Sequence, residues 1–308
     1  MATPRSTKPA TTAKTANNVT AAKTAKTATK TAAKTVKTAS VPAAKKRLTP
    51  RTAKPASATP VISAEGLAKA FELSKGSTSI ELKVTVPATG HRATIKSLKL
   101  DPVEAQPRQT FFFDTPNLDL FKAGVVVRAR RFQGGGGDTV IKLRPVDPNQ
   151  IDPELRRSAS FKIELDMMPG GFVCSASFKG VCTGKEVLDM TAGDVPLSSL
   201  FSKGQRAFYQ AHAPAGIDMD SLTTLGPVFL LKSRHQPKDY DRRVTTEMWL
   251  YPDGSRILEV STKCLPDEAF QAAQEFKAYL AKCGIALSGL QEPKTGTALQ
   301  YFKAHPGE

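Results

Sequence analysis

Residues 61–308 are predicted to form one mainly β domain of the α+β class, with a disordered basic tail over residues 1–60. Three observations predict this. Apolar and polar residues alternate at period two in segment after segment, the pattern of half-buried strands. Nearly every such segment carries a charge on its polar face, and both signs recur. The net charge of +16 is also unevenly spread: residues 1–60 hold ten Lys, three Arg and no acid, so residues 61–308 carry only +3.

The tail is built from Lys, Ala, Thr and Pro, as in TAAKTAKTATKTAAKTVKTAS. It has few large apolar side chains to offset the entropy lost on ordering. Lys23, Lys26, Lys30, Lys34 and Lys37 would form one stripe on a helix. Like charges at that spacing repel, and threonine is a poor helix former. The composition resembles linker-histone tails. Non-specific binding of nucleic acid or polyphosphate by counterion release is one expectation, and a plain spacer arm is the other.

The body opens with a short helix over residues 64–74. In 79–86, Ile80, Leu82, Val84 and Val86 share one face, and Glu81 and Lys83 the other. In 125–131, Val127 and Ala129 oppose Arg128 and Arg130, and in 139–144, Ile141 and Leu143 oppose Lys142 and Arg144. In 161–167, Phe161, Ile163, Leu165 and Met167 oppose Lys162, Glu164 and Asp166. Lys232 and Arg234 share a face in 228–235, as do Glu247 and Trp249 in 244–251. In 256–263, Leu258 and Val260 oppose Glu259, Ser261 and Lys263. Helices near 197–212, 266–283 and 294–303 are available to cover an apolar face. The charged face then lines the inside of a closed barrel, or faces solvent on an open sheet. Alternation alone leaves both open.

The stretch QTFFFDTPNLDLFKAGVVVRARRFQGGGGDTVIKLR, residues 109–144, tips the balance. It resembles the CYTH family, also called triphosphate tunnel metalloenzymes. The resemblance lies in Phe113-Asp114-Thr115-Pro116, Ala123-Gly124, Arg128 and Arg130, then Lys142 after a hairpin. The family's opening Glu-x-Glu-x-Lys is matched by Ser79-Ile80-Glu81-Leu82-Lys83. Glu164 and Asp166, then Lys232 and Arg234, then Asp253-Gly254 and Glu259 follow in order. This likeness spans roughly residues 76–303. It implies an eight-stranded antiparallel closed barrel, a tunnel with a charged lumen and flanking helices.

It further implies metal-dependent hydrolysis of a triphosphate: inorganic tripolyphosphate, a nucleoside triphosphate or thiamine triphosphate. Lys83, Arg128, Arg130, Lys142, Lys232 and Arg234 would hold phosphate, Arg by planar two-point contacts and Lys as a point charge. Glu81, Glu164, Asp166 and Glu259 would hold Mg2+ or Mn2+, with Glu81 and Lys83 catalytic. Two positions where the family carries acids are Ser79 and Ser261, and Asp166 stands where Glu is usual. Those serines keep a non-catalytic polyphosphate or nucleotide-binding module in view, beside a class IV type adenylyl cyclase on the same fold.

No stretch approaches 18 apolar residues, which excludes a transmembrane helix. No short apolar run follows the basic N-terminus, so no secretory signal is expected. Cys174, Cys182, Cys264 and Cys283 show no CxxC pairing, and a cytoplasmic location is expected. Gly134–Gly137 lacks a following Gly-Lys-Ser/Thr and reads as a hairpin connection rather than a phosphate loop. Asp114 and Pro116 read as turn-formers. Trp249 reads first as a filler of a barrel end, and second as a platform for a base or thiamine ring.

Overall fold

The period-two segments become strands of a single closed sheet. The structure is a computed structural model that describes residues 62–287, 291 and 293–306. The reading of residues 1–60 as a disordered polyanion-binding tail lies outside the described residues. Nine strands are formed: β1 (Ser79–Val86), β2 (Gln106–Asp114), β3 (Val125–Phe132), β4 (Gly136–Leu143), β5 (Phe161–Met168), β6 (Gly171–Thr183), β7 (Thr223–His235), β8 (Val244–Leu250) and β9 (Arg256–Cys264). Around the barrel the order is β1-β5-β6-β4-β3-β2-β7-β8-β9, with β9 pairing back to β1.

This corrects the expected eight antiparallel strands. The additional strand is β6, which pairs with both β4 and β5. Its sequence, GFVCSASFKGVCT, is rich in Gly, Ser, Ala and Cys, and lacks the contrast between bulky apolar and charged residues that marks the others. The ninth strand also changes the sense of pairing. Up-and-down alternation cannot close around an odd number of strands, so one neighbouring pair must run the same way. That pair is β1 with β5, with Ser79 beside Glu164 and Glu81 beside Asp166.

Among the described residues eight α-helices accompany the barrel: α1 (Ala64–Lys75), α2 (His91–Ser97), α3 (Asp119–Lys122), α4 (Pro153–Arg157), α5 (Gly184–Ala192), α6 (Lys203–His212), α7 (Ala269–Lys282) and α8 (Lys294–Ala304). The Ser63 hydroxyl caps α1 by accepting from the Gly66 N–H. Capping boxes start α5 (Thr183 with Glu186) and α6 (Ser202 with Gln205). These satisfy amides that the first helical turn leaves without partners.

The apolar strand faces meet the helices in two clusters. In the larger, Ile80, Leu82 and Val84 of β1 and Leu258 and Val260 of β9 share a core with Phe276 and Leu280 of α7. In the smaller, Phe112, Leu230 and Trp249 pack with Ala298, Leu299 and Phe302 of α8. None of the described helices is long and apolar enough to cross a membrane.

The Asp-Thr-Pro turn is a structural device. The buried Asp114 carboxylate accepts backbone N–H groups from Thr115 (2.7 Å), Leu120 (2.9 Å) and Phe121 (3.0 Å), fastening β2 to α3. The glycine that follows has an equally local reason. Gly124 sits at φ 77°, and a Cβ there would lie 2.7 Å from the Arg144 carbonyl oxygen. That close approach allows the Arg144 N–H to donate to the Gly124 carbonyl at 2.8 Å, locking the start of β3 against the end of β4. Of the glycine run, Gly134 and Gly135, both at positive φ, lie in the β3–β4 hairpin connection, and Gly136 and Gly137 open β4.

Candidate functional site

Successive side chains on a strand point to opposite faces, so helices packed on one face leave the charged residues on the other. There they meet. Residues from eight of the nine strands, with Lys294 and Thr295 of α8, line one cavity of about 640 Å3. All ten residues picked out from the sequence lie on its wall. They are Glu81 and Lys83 of β1, Arg128 and Arg130 of β3, Lys142 of β4, Glu164 and Asp166 of β5, Lys232 and Arg234 of β7, and Glu259 of β9.

Six more charged residues share the wall: Arg144, Lys179, Arg243, Glu247, Lys263 and Lys294. Arg144, Glu247 and Lys263 follow the same alternation as the selected residues, so the parity of their strands could have found them. Lys179 lies on the unrecognised β6. Lys294 lies at the start of a helix, where period-two reasoning gives no sign of it.

The carboxylates are held by lysines and one arginine. Lys83 Nζ lies 3.2 Å from Glu81 Oε2 and 3.1 Å from Asp166 Oδ1, and Arg144 reaches Asp166 Oδ2 at 3.0 Å. Lys263 pairs with Glu164 and lies 4.0 Å from Glu81. Glu247 accepts from both Lys232 and Lys294, and Lys294 also donates to Glu259 at 2.7 Å. The Ser261 hydroxyl donates to Glu81 Oε1 at 3.1 Å.

These contacts set the charge states. Burial by itself would raise Glu81, but Lys83 and Lys263 outweigh it and hold the carboxyl below its ordinary value. Burial likewise opposes ionisation of Glu164, yet Lys263 and Lys179 bring it down to about 2. Lys83 is raised: its burial is outweighed by Glu81, Glu259 and Asp166. Glu247 is held well below its usual range, while its partner Lys232 is lowered. The two directions differ because Glu247 has two ammonium partners, whereas burial and nearby Arg234 and Arg130 work against Lys232.

Other cations have little compensation. Arg128 forms no ion pair among the described residues, and its Nε is buried without a hydrogen-bond partner. Burial and then Arg130 lower its pKa to about 10. Arg234 also forms no ion pair among the described residues, and Lys142 has only Asp166 at 3.9 Å. Burial pushes Lys142 down to about 8, with Asp166 opposing and Lys83 and Arg144 assisting. The ammonium is therefore charged below about pH 8 and is lost as the pH rises through that value. An anion that needs it should bind progressively more weakly from there upward, by at most about tenfold per pH unit. Tripolyphosphate titrations of wild type and Lys142→Arg at fixed ionic strength test this, because the difference cancels the titration of the ligand. The wild-type deficit should open above about pH 8; parallel profiles would remove Lys142 from the binding surface.

A second chamber of about 430 Å3 shares Arg128, Lys142, Arg144 and Met168 with the first and adds Phe121, Val126, Phe172 and Val173. Its wall is predominantly apolar. Trp249 lines the first cavity but is only 3% exposed; it stacks on Phe112 with ring centroids 6.4 Å apart, and its Nε1–H donates to Glu247. It closes the barrel as a filler.

No protein-family model matches the chain, and no curated protein matches it. Solved structures do. A candidate adenylyl cyclase from Hippeastrum, HpAC1, whose structure is described as revealing a dominant triphosphatase activity, aligns with a TM-score of 0.55 at 15% identity. That match covers 72% of this chain and 96% of the other. A candidate adenylate cyclase from Bacillus halodurans aligns at 15% identity over 73% and 97% of the two chains, with a TM-score of 0.49. The chain has the CYTH, or triphosphate tunnel, fold.

That fold class implies a divalent cation held by acidic side chains. A hard cation needs several carboxylate oxygens converging on one point. Among the described residues no three acidic, histidine or cysteine side chains do so. Glu81, Glu164, Asp166 and Glu259 each face an ammonium or guanidinium group instead, and Ser261 bonds to Glu81 where the family would add another acid. The residues present do not fit the ion in this arrangement.

Proposed function

We propose that the barrel cavity binds the triphosphate group of a small molecule and that the protein cleaves its terminal phosphoanhydride. One observation carries this reading: eleven Lys and Arg side chains face one cavity against five carboxylates. The excess of six cations suits a chain of three phosphates bearing about four negative charges. Arg128, Arg234 and Lys142 are the least compensated and are the first contacts in this reading, with Arg130 and Lys83 beside them. Low-dielectric walls strengthen each contact.

In the proposed reaction water attacks the terminal phosphorus, the bridging P–O bond breaks, and the electron pair leaves on the diphosphate. The transition state is loose and spreads charge over the phosphoryl oxygens, so catalysis is mainly positioning and electrostatic stabilisation. Arg128 and Arg234 would stabilise that charge, and Glu81, ionised at neutral pH, would orient the water. The triphosphatase activity attributed to the Hippeastrum protein supports this choice of reaction over cyclisation. The apolar chamber beside the phosphate groups favours a triphosphate with an organic head group over the inorganic chain.

Phosphate release from ATP, thiamine triphosphate and tripolyphosphate tests the proposal. Release from an organic triphosphate that falls at least tenfold in Arg128→Ala is expected. Cyclic nucleotide and diphosphate from ATP would assign the cyclase chemistry instead. Saturable binding without turnover would make the cavity a receptor, the reading that the lysine-held carboxylates favour.

A further inference from the structure

We infer that Lys263 and Lys294 stand in this cavity where a carboxylate-held divalent cation would otherwise sit, so that the site grips a triphosphate without a metal ion. The second half of the inference rests on the triphosphate reading above; the first does not.

The observation is that each lysine bridges two acids from different strands. Lys263 pairs with Glu164 of β5 and lies 4.0 Å from Glu81 of β1. Lys294 donates to Glu247 of β8 and to Glu259 of β9. Bridging two acids and presenting positive charge to the cavity is also what a divalent ion would do. Each lysine and its two acids sum to one negative charge, however, which is little attraction for a strongly hydrated dication. An ion would also have to expel an ammonium already hydrogen-bonded to Glu164 in the one case, and to Glu247 and Glu259 in the other. Ser261 acts in the same direction: its hydroxyl occupies Glu81 Oε1 at 3.1 Å and adds no charge. The triphosphate would then meet ammonium hydrogens from Lys263 and Lys294 rather than metal coordination.

The test has two arms, both on the full chain. In the first, free Mn2+ is followed by electron paramagnetic resonance as protein is added. Wild type should show no site tighter than about millimolar, the weak end of the range for carboxylate sites. Lys263→Ala combined with Lys294→Ala should gain at least about tenfold in Mn2+ affinity. A wild-type site in the micromolar range that disappears in Glu81→Ala would overturn the inference. Lys263 is half-exposed, so Lys263→Ala alone serves if the double variant fails to fold, and the wild-type titration decides in any case. In the second arm, calorimetry follows tripolyphosphate binding with chelator and with added Mn2+, and Arg128→Ala gives the background from the N-terminal lysines. Equal affinities are expected; a tenfold loss in chelator would overturn the inference. Absence of cavity binding in both conditions would defeat the triphosphate reading, and the Mn2+ arm would still decide the role of the lysines.

Discussion

Replacing Glu247 by Gln should destabilise the protein by about 3–5 kcal/mol, because removing one partner strands the other as an uncompensated buried charge. Here Lys232 loses the one ion pair it makes among the described residues, while Lys294 is left with Glu259 alone. Glu247 holds both Lys232 and Lys294, and all three side chains are 12–15% exposed. For a domain of this size that corresponds to a fall in melting temperature of roughly 6–20 °C. The pH dependence has a definite sign. The folded carboxyl lies well below its ordinary value of 4.5, so its contribution is fully present above about pH 4.5 and is lost as the pH falls through the folded value. The gap between wild type and variant should therefore be constant from neutral pH down to about pH 5 and close only in stronger acid. Tripolyphosphate should recover part of the loss, since a bound anion supplies the missing negative charge. Thermal denaturation with and without tripolyphosphate measures both effects. A change under about 1 kcal/mol would mean that the two lysines reach water instead.

The second large effect concerns binding rather than stability. Arg128→Ala should weaken triphosphate binding by about 10- to 100-fold, the loss of one charge-assisted contact worth 1.5–3 kcal/mol. The same substitution should leave the melting temperature unchanged or raise it. Arg128 is half-buried beside Arg130, its buried Nε has no partner, and burial and then Arg130 lower its pKa to about 10. Loss of ligand affinity without loss of stability is the signature of a group placed for a ligand. Calorimetry and thermal denaturation of one variant read both quantities. Unchanged affinity, or a large destabilisation, would return Arg128 to a structural role.

How much of this was legible in the sequence can be traced to particular residues. The strands holding Glu81, Lys83, Arg128, Arg130, Lys142, Glu164, Asp166, Lys232, Arg234 and Glu259 were readable because period-two alternation is local: it needs only neighbouring residues and the fixed pleat. Helices α1, α7 and α8 were readable for the same reason at their longer period. The strand β6 was not, because Ser175, Ala176 and Ser177 offer little contrast between faces, and its place is fixed by pairing with β4 and β5. Short helices such as α3 escaped notice because their order comes from tertiary contacts, in that case the Asp114 carboxylate, and not from helical periodicity.

By itself the sequence determined which side chains share a face, that the polar face is charged, and that most of the net charge lies in the first 60 residues. Only the tertiary structure decided the strand number, the parallel β1–β5 closure and the partner of each charge. Lys263 meets Glu164 across 99 residues of chain, and Ser261 meets Glu81 across 180. Such pairings follow from ring closure and register, which depend on the whole sheet and leave no mark at the spacing of two or four residues that a sequence displays. The resemblance to metal-holding tunnels therefore pointed to the right fold and to residues that line one cavity, while the structure shows those acids already engaged by the protein's own lysines.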